Sequence, residues 1–291
     1  MAPTEQSFPP VRACLFDMDG LLLNTEDLYT KVTNTLLTQL GRPPLTWHIK
    51  AQLQGRPVSA ATKIFRDWAQ LPIPLEEYLA RQKALQAEVF SAAGLLPGVE
   101  ELIDTLLASS PASHPTEKVH IALATSSASY NFQLKTSHLQ HLFKRFPKER
   151  QILGDDPRIP TGRGKPAPDI YLLALESINA GLRAEGKPEV TPAECLVFED
   201  AVPGVEAGRR AGMRVVWVPH PGLLEEYKGR EKLVLAGVMG EAEKDIEDGK
   251  AVGPGMGSTG KVGDGKGELR TTLEGFDYSR YGIITPKQLK N

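Results

Sequence analysis

The feature that most constrains this chain is an apolar run that ends in acid: "ACLFDMDG". Residues 11–16, "VRACLF", are short and rich in strand formers, and they lead straight into Asp17, Met18, Asp19 and Gly20. A buried strand that ends in two carboxylates, two residues apart, is unfavourable unless something positive sits between them, because like charges oppose each other's ionisation. The fold must therefore bring other groups to this strand end.

The rest of the sequence shows what kind of fold can do that. With 291 residues, 41% of them hydrophobic, the chain can form one large domain or two ordinary ones around a sizeable core. Over residues 26–40 the period changes: Leu28, Val32, Leu36 and Leu40 recur every four residues, as on one face of a helix. Asn24 or Thr25 can cap that helix, Glu26 and Asp27 suit its positive end, and Gly41 with Pro43 ends it. Residues 46–93 stay helical in character with no convincing strand, which predicts a small helical module.

From "GLLPGVEELIDTLLAS" onward, strand and helix alternate. "VHIALATSS", "RQILGDD", "ECLVFED" and "RVVWVP" read as strands, and "APDIYLLALESINAGL" and "VPGVEAGRRAGM" as helices. This predicts an α/β fold, a parallel sheet with helices on both faces. Such sheets place their sites at the carboxyl ends of the strands. Residues 249–267 are rich in glycine and poor in apolar residues, and read as a flexible loop that lacks the ending of a phosphate-binding P-loop.

Composition narrows the function. A net charge of −2 argues against a general binder of nucleic acid or membrane surfaces. Cys14 and Cys195 lie in apolar strand-like runs and read as small buried hydrophobes. "MAPTEQSFPPVRA" does not resemble a signal peptide, and no apolar run reaches the roughly 20 residues of a membrane span. A cytoplasmic protein is expected. His114, His120, His138 and His141 have no metal-ligand spacing.

Four elements fall at strand ends on one sheet edge: Asp17 and Asp19 with Gly20; Thr125 and Ser126; Lys165 in "GRGKPAPD"; and Glu199 with Asp200. Up to four carboxylates, a hydroxyl and an ammonium would share one crevice. A hard divalent cation resolves the crowding, and Mg²⁺ prefers a few carboxylates together with phosphate and water. An Asp can attack phosphorus to give an aspartyl-phosphate, and phosphoryl transfer depends mainly on positioning and charge neutralisation. Asp169, in the first turn of a helix, reads as stabilising the helix dipole, and Asp155 and Asp156 as turn formers.

"FDMDGLLLNTE", "ALATSS", "GKPAPDIY" and "VFEDAVPGVEAGRRAGM" together resemble the four motifs of the haloacid dehalogenase-like (HAD) hydrolase superfamily, in order. The resemblance covers roughly residues 11 to 235. "LLLNTE", "LGDDP" and "LEGFDYSRYGI" are similar to its pseudouridine-5′-phosphatase-like branch, which includes sugar- and polyol-phosphate phosphatases. Asn24 stands where many relatives have Asp.

The resemblance implies a Rossmann-like core at 11–25 and 94–235 and a helical cap at 26–93. It also implies an insertion at 236–267 and a C-terminal tail at 268–291 packed on the core. In it Asp17 is the nucleophile, Asp19 the acid/base, Thr125 the phosphate-binding hydroxyl and Lys165 the partner of phosphate and nucleophile. Mg²⁺ is held by Asp17, the Asp19 carbonyl, Glu199 and Asp200. Gly20, Gly55, Arg56 and Ser126 are assigned to substrate, the middle two from a cap loop. The implied activity is Mg²⁺-dependent hydrolysis of a small phosphomonoester by a monomer. A hexose phosphomutase and a non-catalytic sugar-phosphate-binding protein are the alternatives. A dehalogenase needs no Mg²⁺, so Asp19 and the Glu199-Asp200 pair argue against it.

Overall fold

The computed structural model describes residues 8–54, 58–239 and 255–288. Its first strand, β1 (Ala13–Phe16), is buried at all four positions. An uninterrupted apolar run is what a central parallel strand requires, since helices cover both faces. The helices α1 (Thr25–Gln39), α2 (Trp47–Leu53), α3 (Val58–Ala69) and α4 (Leu75–Val89) follow, then α5 (Val99–Ala108) and the two-residue β2 (Ser110–Pro111). Next come β3 (His120–Ala124), α6 (Ser129–Thr136), α7 (Gln140–Phe143), β4 (Gln151–Ile152), α8 (Asp169–Ala184) and β5 (Cys195–Glu199). The chain continues through α9 (Val202–Arg210), β6 (Arg214–Trp217), α10 (Pro221–Glu226), α11 (Glu231–Ala236), β7 (Gly267–Leu269) and β8 (Ile283–Ile284).

Six strands form one parallel sheet in the order β4-β3-β1-β5-β6-β7. The chain runs outward from β1 in both directions, to β3 and β4 on one side and to β5, β6 and β7 on the other. A crevice opens at such a switch point, beyond the carboxyl ends of the strands. On one face, Leu102 and Ile103 of α5 pack with Leu142 and Phe143 of α7. On the other, α8 and α9 supply Ile170, Tyr171 and Val205. This is an α/β Rossmann-like core.

Helices α1 to α4 form a separate helical cap with its own small core. Val32, Leu36 and Leu37 of α1 meet Phe65 and Ala69 of α3 and Tyr78 of α4. The cap also rests on the main body, where Trp47 stacks on His220 at 4.5 Å. Asn24 does not act as the helix cap its position suggested: no side-chain hydrogen bond caps α1. Its Oδ1 instead accepts from the Gly94 N–H at 2.8 Å, while its own N–H donates to the Gly94 carbonyl at 3.0 Å. The two chain segments joining cap and core are thereby tied together.

The described part of the Gly-rich stretch lies against the core. Gly260 N–H donates to the Ala236 carbonyl, Asp264 pairs with Arg209, and Gly267 begins β7 beside β6. A Cβ on Gly267 would stand 2.8 Å from Leu235 Cβ, so this glycine allows a close approach. β7 carries no strand signature in the sequence, and β2, which pairs antiparallel with β8, lies within the polar run "SSPASHPTEK". Beyond β7, Leu273, Phe276, Tyr281 and Ile283 are buried in the core. Phe276 stacks on Tyr281 at 5.3 Å and touches Phe198 of the central sheet. Phe276→Ala should therefore lower stability by about 3–5 kcal/mol, as loss of a buried aromatic does, with urea unfolding as the measurement.

Candidate active site

Parallel strands β1, β3 and β5 end on the same edge, so the residues that follow them meet. Asp17 follows β1, Thr125 follows β3, and Glu199 ends β5 with Asp200 next to it. Lys165 arrives from the loop before α8. Its Nζ donates to Asp17 Oδ1 at 2.5 Å and to the Ala124 carbonyl at 3.0 Å, and lies 2.6 Å from Glu199 Oε1. Asp17, Lys165, Glu199 and Asp200 are all buried.

Burial dominates the electrostatics. It pushes Asp17 up to about 7; Lys165 opposes the shift, while Glu199 and Asp19 add to it. Asp200 is raised well above the usual carboxylate range by burial, and then by Asp17, Glu26 and Glu199. Burial also works against the charge on Lys165, yet Asp17 and Glu199 together keep that amine more basic than usual.

Glu199 holds the arrangement from below. Its Oε1 accepts from the Tyr171 hydroxyl at 2.5 Å, and its Oε2 accepts from the N–H groups of Asp200 and Ala201 at 3.1 and 3.2 Å. A Cβ on Gly204, one turn into α9, would stand only 1.8 Å from Glu199 Oε1. Gly20 plays a similar steric part: its φ is +78°, and a Cβ there would lie 2.2 Å from Asp200 Oδ2. Its N–H donates to the Leu23 carbonyl and to Thr25 Oγ1.

Asp17, Asp19, Thr125, Ser126, Lys165 and Asp200 line one end of a cavity of about 470 Å³ between core and cap. Thr125 is fully buried, with its Oγ1 accepting from the Ser127 N–H at 3.1 Å, and Ser126 is exposed. Cap residues Leu53, Phe65, Leu75 and Tyr78 line the cavity too. Gly55 and Arg56 lie outside the described residues. Their neighbour Gln54 reaches the site, donating from Nε2 to Asp200 Oδ2 at 2.5 Å.

Carboxylate oxygens of Asp17, Glu199 and Asp200 lie within 4.8 Å of one another. These are hard donors, and burial resists the ionisation of Asp17 and Asp200, so the set fits a hard divalent cation and not a soft one.

Four participants were not singled out from the sequence. Gln54 ends a short cap helix, and Tyr171 sits on the apolar face of α8, where it reads as core. Ser127 and Lys135 hold Asp19: Ser127 Oγ donates to Oδ2 and Lys135 Nζ to Oδ1, both at 2.6 Å. Burial would raise the Asp19 pKa, but Lys135, Ser127 and Thr25 bring it below the usual carboxylate value. The signal for Lys135 was a lysine among the apolar positions of "NFQLKTSHL". Asp155 caps α6 through Ser129, and Asp169 pairs with Arg163.

A family profile described as haloacid dehalogenase-like hydrolase matches residues 11–212, and the chain belongs to that family. A Saccharomyces cerevisiae protein named "Probable pseudouridine-5′-phosphatase" is 40% identical over 273 residues, which is 94% of this chain and 98% of that one. The Arabidopsis thaliana (DL)-glycerol-3-phosphatase 1 is 33% identical over 227 residues, covering 77% of this chain and 70% of its own. Among solved structures, a HAD hydrolase of family IA, variant 3, from Entamoeba histolytica covers 97% of this chain and 100% of its own. Its TM-score is 0.61 at 20% identity, a likeness of fold. Family and relatives together make the chain a phosphoric monoester hydrolase. Among the described residues, no helix is long and apolar enough to cross a membrane.

The contact under Glu199 gives a direct test. Gly204→Ala should displace the Glu199 carboxylate and, through it, Lys165. Phosphate release should fall by about 10²-fold, as for a misplacement near 1 Å, with little change in the circular-dichroism spectrum.

Proposed function

We propose that this chain is a Mg²⁺-dependent phosphatase that hydrolyses a small phosphomonoester through an aspartyl-phosphate on Asp17. Pseudouridine 5′-phosphate and sugar or polyol phosphates are the substrate class, in keeping with the names of the relatives. The observation that carries this reading is Lys165, 2.5 Å from Asp17 Oδ1, in a buried acidic cluster that faces a cavity closed by the cap. The catalytic core comprises 11–25 and 94–235, and the cap 26–93.

Asp17 supplies the attacking oxygen. Lys165 favours the ionised form of that carboxylate and aims it, and its remaining charge attracts the transferring phosphoryl group. Thr125 and Ser126 hold the phosphoryl oxygens. Asp19 gives a proton to the departing alcohol, then takes one from the water that clears the intermediate. Asp17, the Asp19 carbonyl and Asp200 would hold Mg²⁺, with Glu199 completing the acidic set and fixing Lys165. Bound there, the ion supplies positive charge against the phosphoryl oxygens. The cap excludes water and bulky partners, and Gly55 and Arg56 are assigned to substrate binding by the family resemblance alone.

Asp17→Asn should abolish phosphate release from p-nitrophenyl phosphate, and EDTA should abolish it in the wild type until Mg²⁺ is restored. Full activity after both treatments would overturn the mechanism. With a hexose 1-phosphate, free phosphate supports hydrolysis, whereas accumulation of the 6-phosphate would make the enzyme a mutase.

A further inference from the structure

Lys135 of α6 is a fully buried ammonium with a complete set of partners. Its Nζ donates to Asp19 Oδ1 at 2.6 Å, and to Ser127 Oγ and the Tyr29 hydroxyl at 2.8 Å each. It also lies over the rings of Tyr29 and Phe90, 4.7 and 4.8 Å from their centroids. These partners come from distinct places: the loop after β1, the loop after β3, the first helix of the cap, and the turn where the cap chain returns to the core. Asp19, for its part, has both carboxylate oxygens occupied, one by Lys135 and one by Ser127.

Burying an ammonium is costly, and replacing a buried ion pair by apolar groups is often neutral or stabilising. Stability alone is therefore a weak reason for a lysine here. We infer that Lys135 is a positioning residue, which fixes the direction of the Asp19 carboxylate and links it to the base of the cap through Tyr29 and Phe90. This inference rests on the acid/base role proposed for Asp19.

The two oxygens of Asp19 are not equivalent. An ammonium can only donate, so Oδ1 stays an acceptor, whereas the Ser127 hydroxyl on Oδ2 can rotate away. Oδ2 is then the oxygen that handles the proton. Oδ2 first takes up a proton from solvent as the Ser127 hydroxyl turns aside; as the bond from Asp17 to phosphorus forms and the ester P–O bond breaks, that proton passes to the leaving oxygen. In the second half, Oδ2 takes a proton from water as the water oxygen bonds to phosphorus and the Asp17–phosphorus bond breaks.

The test compares two substrates of similar size in the full-length protein with Mg²⁺. p-Nitrophenyl phosphate releases a stable phenolate and needs little help from an acid. Benzyl phosphate releases an alkoxide that must be protonated. For Lys135→Met, kcat/KM for benzyl phosphate should fall by roughly 10²-fold and that for p-nitrophenyl phosphate by less than about threefold. Equal falls on both substrates, or no change on either, would overturn the inference, since a merely structural lysine does not discriminate between leaving groups. Should Lys135→Met fail to fold, Tyr29→Phe decides, because it keeps the ring and removes one partner. The same selective loss is expected in smaller measure, and its absence sinks the inference. Asp17→Asn serves as the control: if it still turns over both substrates, the proposed mechanism fails, whereas an inactive Asp17→Asn with equal losses in Lys135→Met sinks only the role of Lys135.

Discussion

One buried ammonium, Lys165, makes the rest of the site possible. It sits between Asp17 and Glu199, within 2.5 and 2.6 Å of their oxygens, at the edge of a sheet whose interior is apolar. Without it, two buried carboxylates would face each other at a cost of several kcal/mol per unpaired ion. The surroundings serve that contact. Tyr171 and two backbone N–H groups fix Glu199, Gly204 leaves space for it, and Trp217 Nε1 donates to the Asp200 carbonyl at 2.8 Å.

The cap adds its own lining to this frame. The acidic cluster and Lys165 line the cavity from the core, while the cap contributes Leu53, Phe65 and Tyr78 together with Glu26 and Lys50. The cap's own buried ion pair, Lys50 with Glu26 at 2.9 Å, joins α2 to α1. With the tie between Asn24 and Gly94, and with Lys135 between Tyr29 and Asp19, the base of the cap is coupled to the loop that carries the acid/base candidate.

Much of this was legible in the sequence because the site residues follow strands. Apolar runs ending in Asp17, Thr125 and Glu199-Asp200 announce themselves, and a parallel sheet puts them on one edge without further information. The helical period of 26–40 likewise marked the cap. What escaped depended on distant partners. Nothing local distinguishes Tyr171 from any aromatic on an apolar helix face until Glu199 is placed beneath it. Asn24 has the composition of a helix cap, but a residue seventy positions away claims its side chain. β7 is three residues long and begins in a glycine-rich stretch, so neither period nor propensity could show it. Its reason for existing is the open edge of β6 and the close approach of Gly267 to α11.

The central claim is that Asp17 takes up a phosphoryl group. Rapid acid quench of the enzyme with substrate and Mg²⁺, followed by peptide mass spectrometry, tests it most directly. The account predicts a hydroxylamine-sensitive phosphoryl adduct on the peptide carrying Asp17, absent from Asp17→Asn. An adduct on another residue, or turnover with no adduct at any quench time in a variant slowed at Asp19, would contradict it.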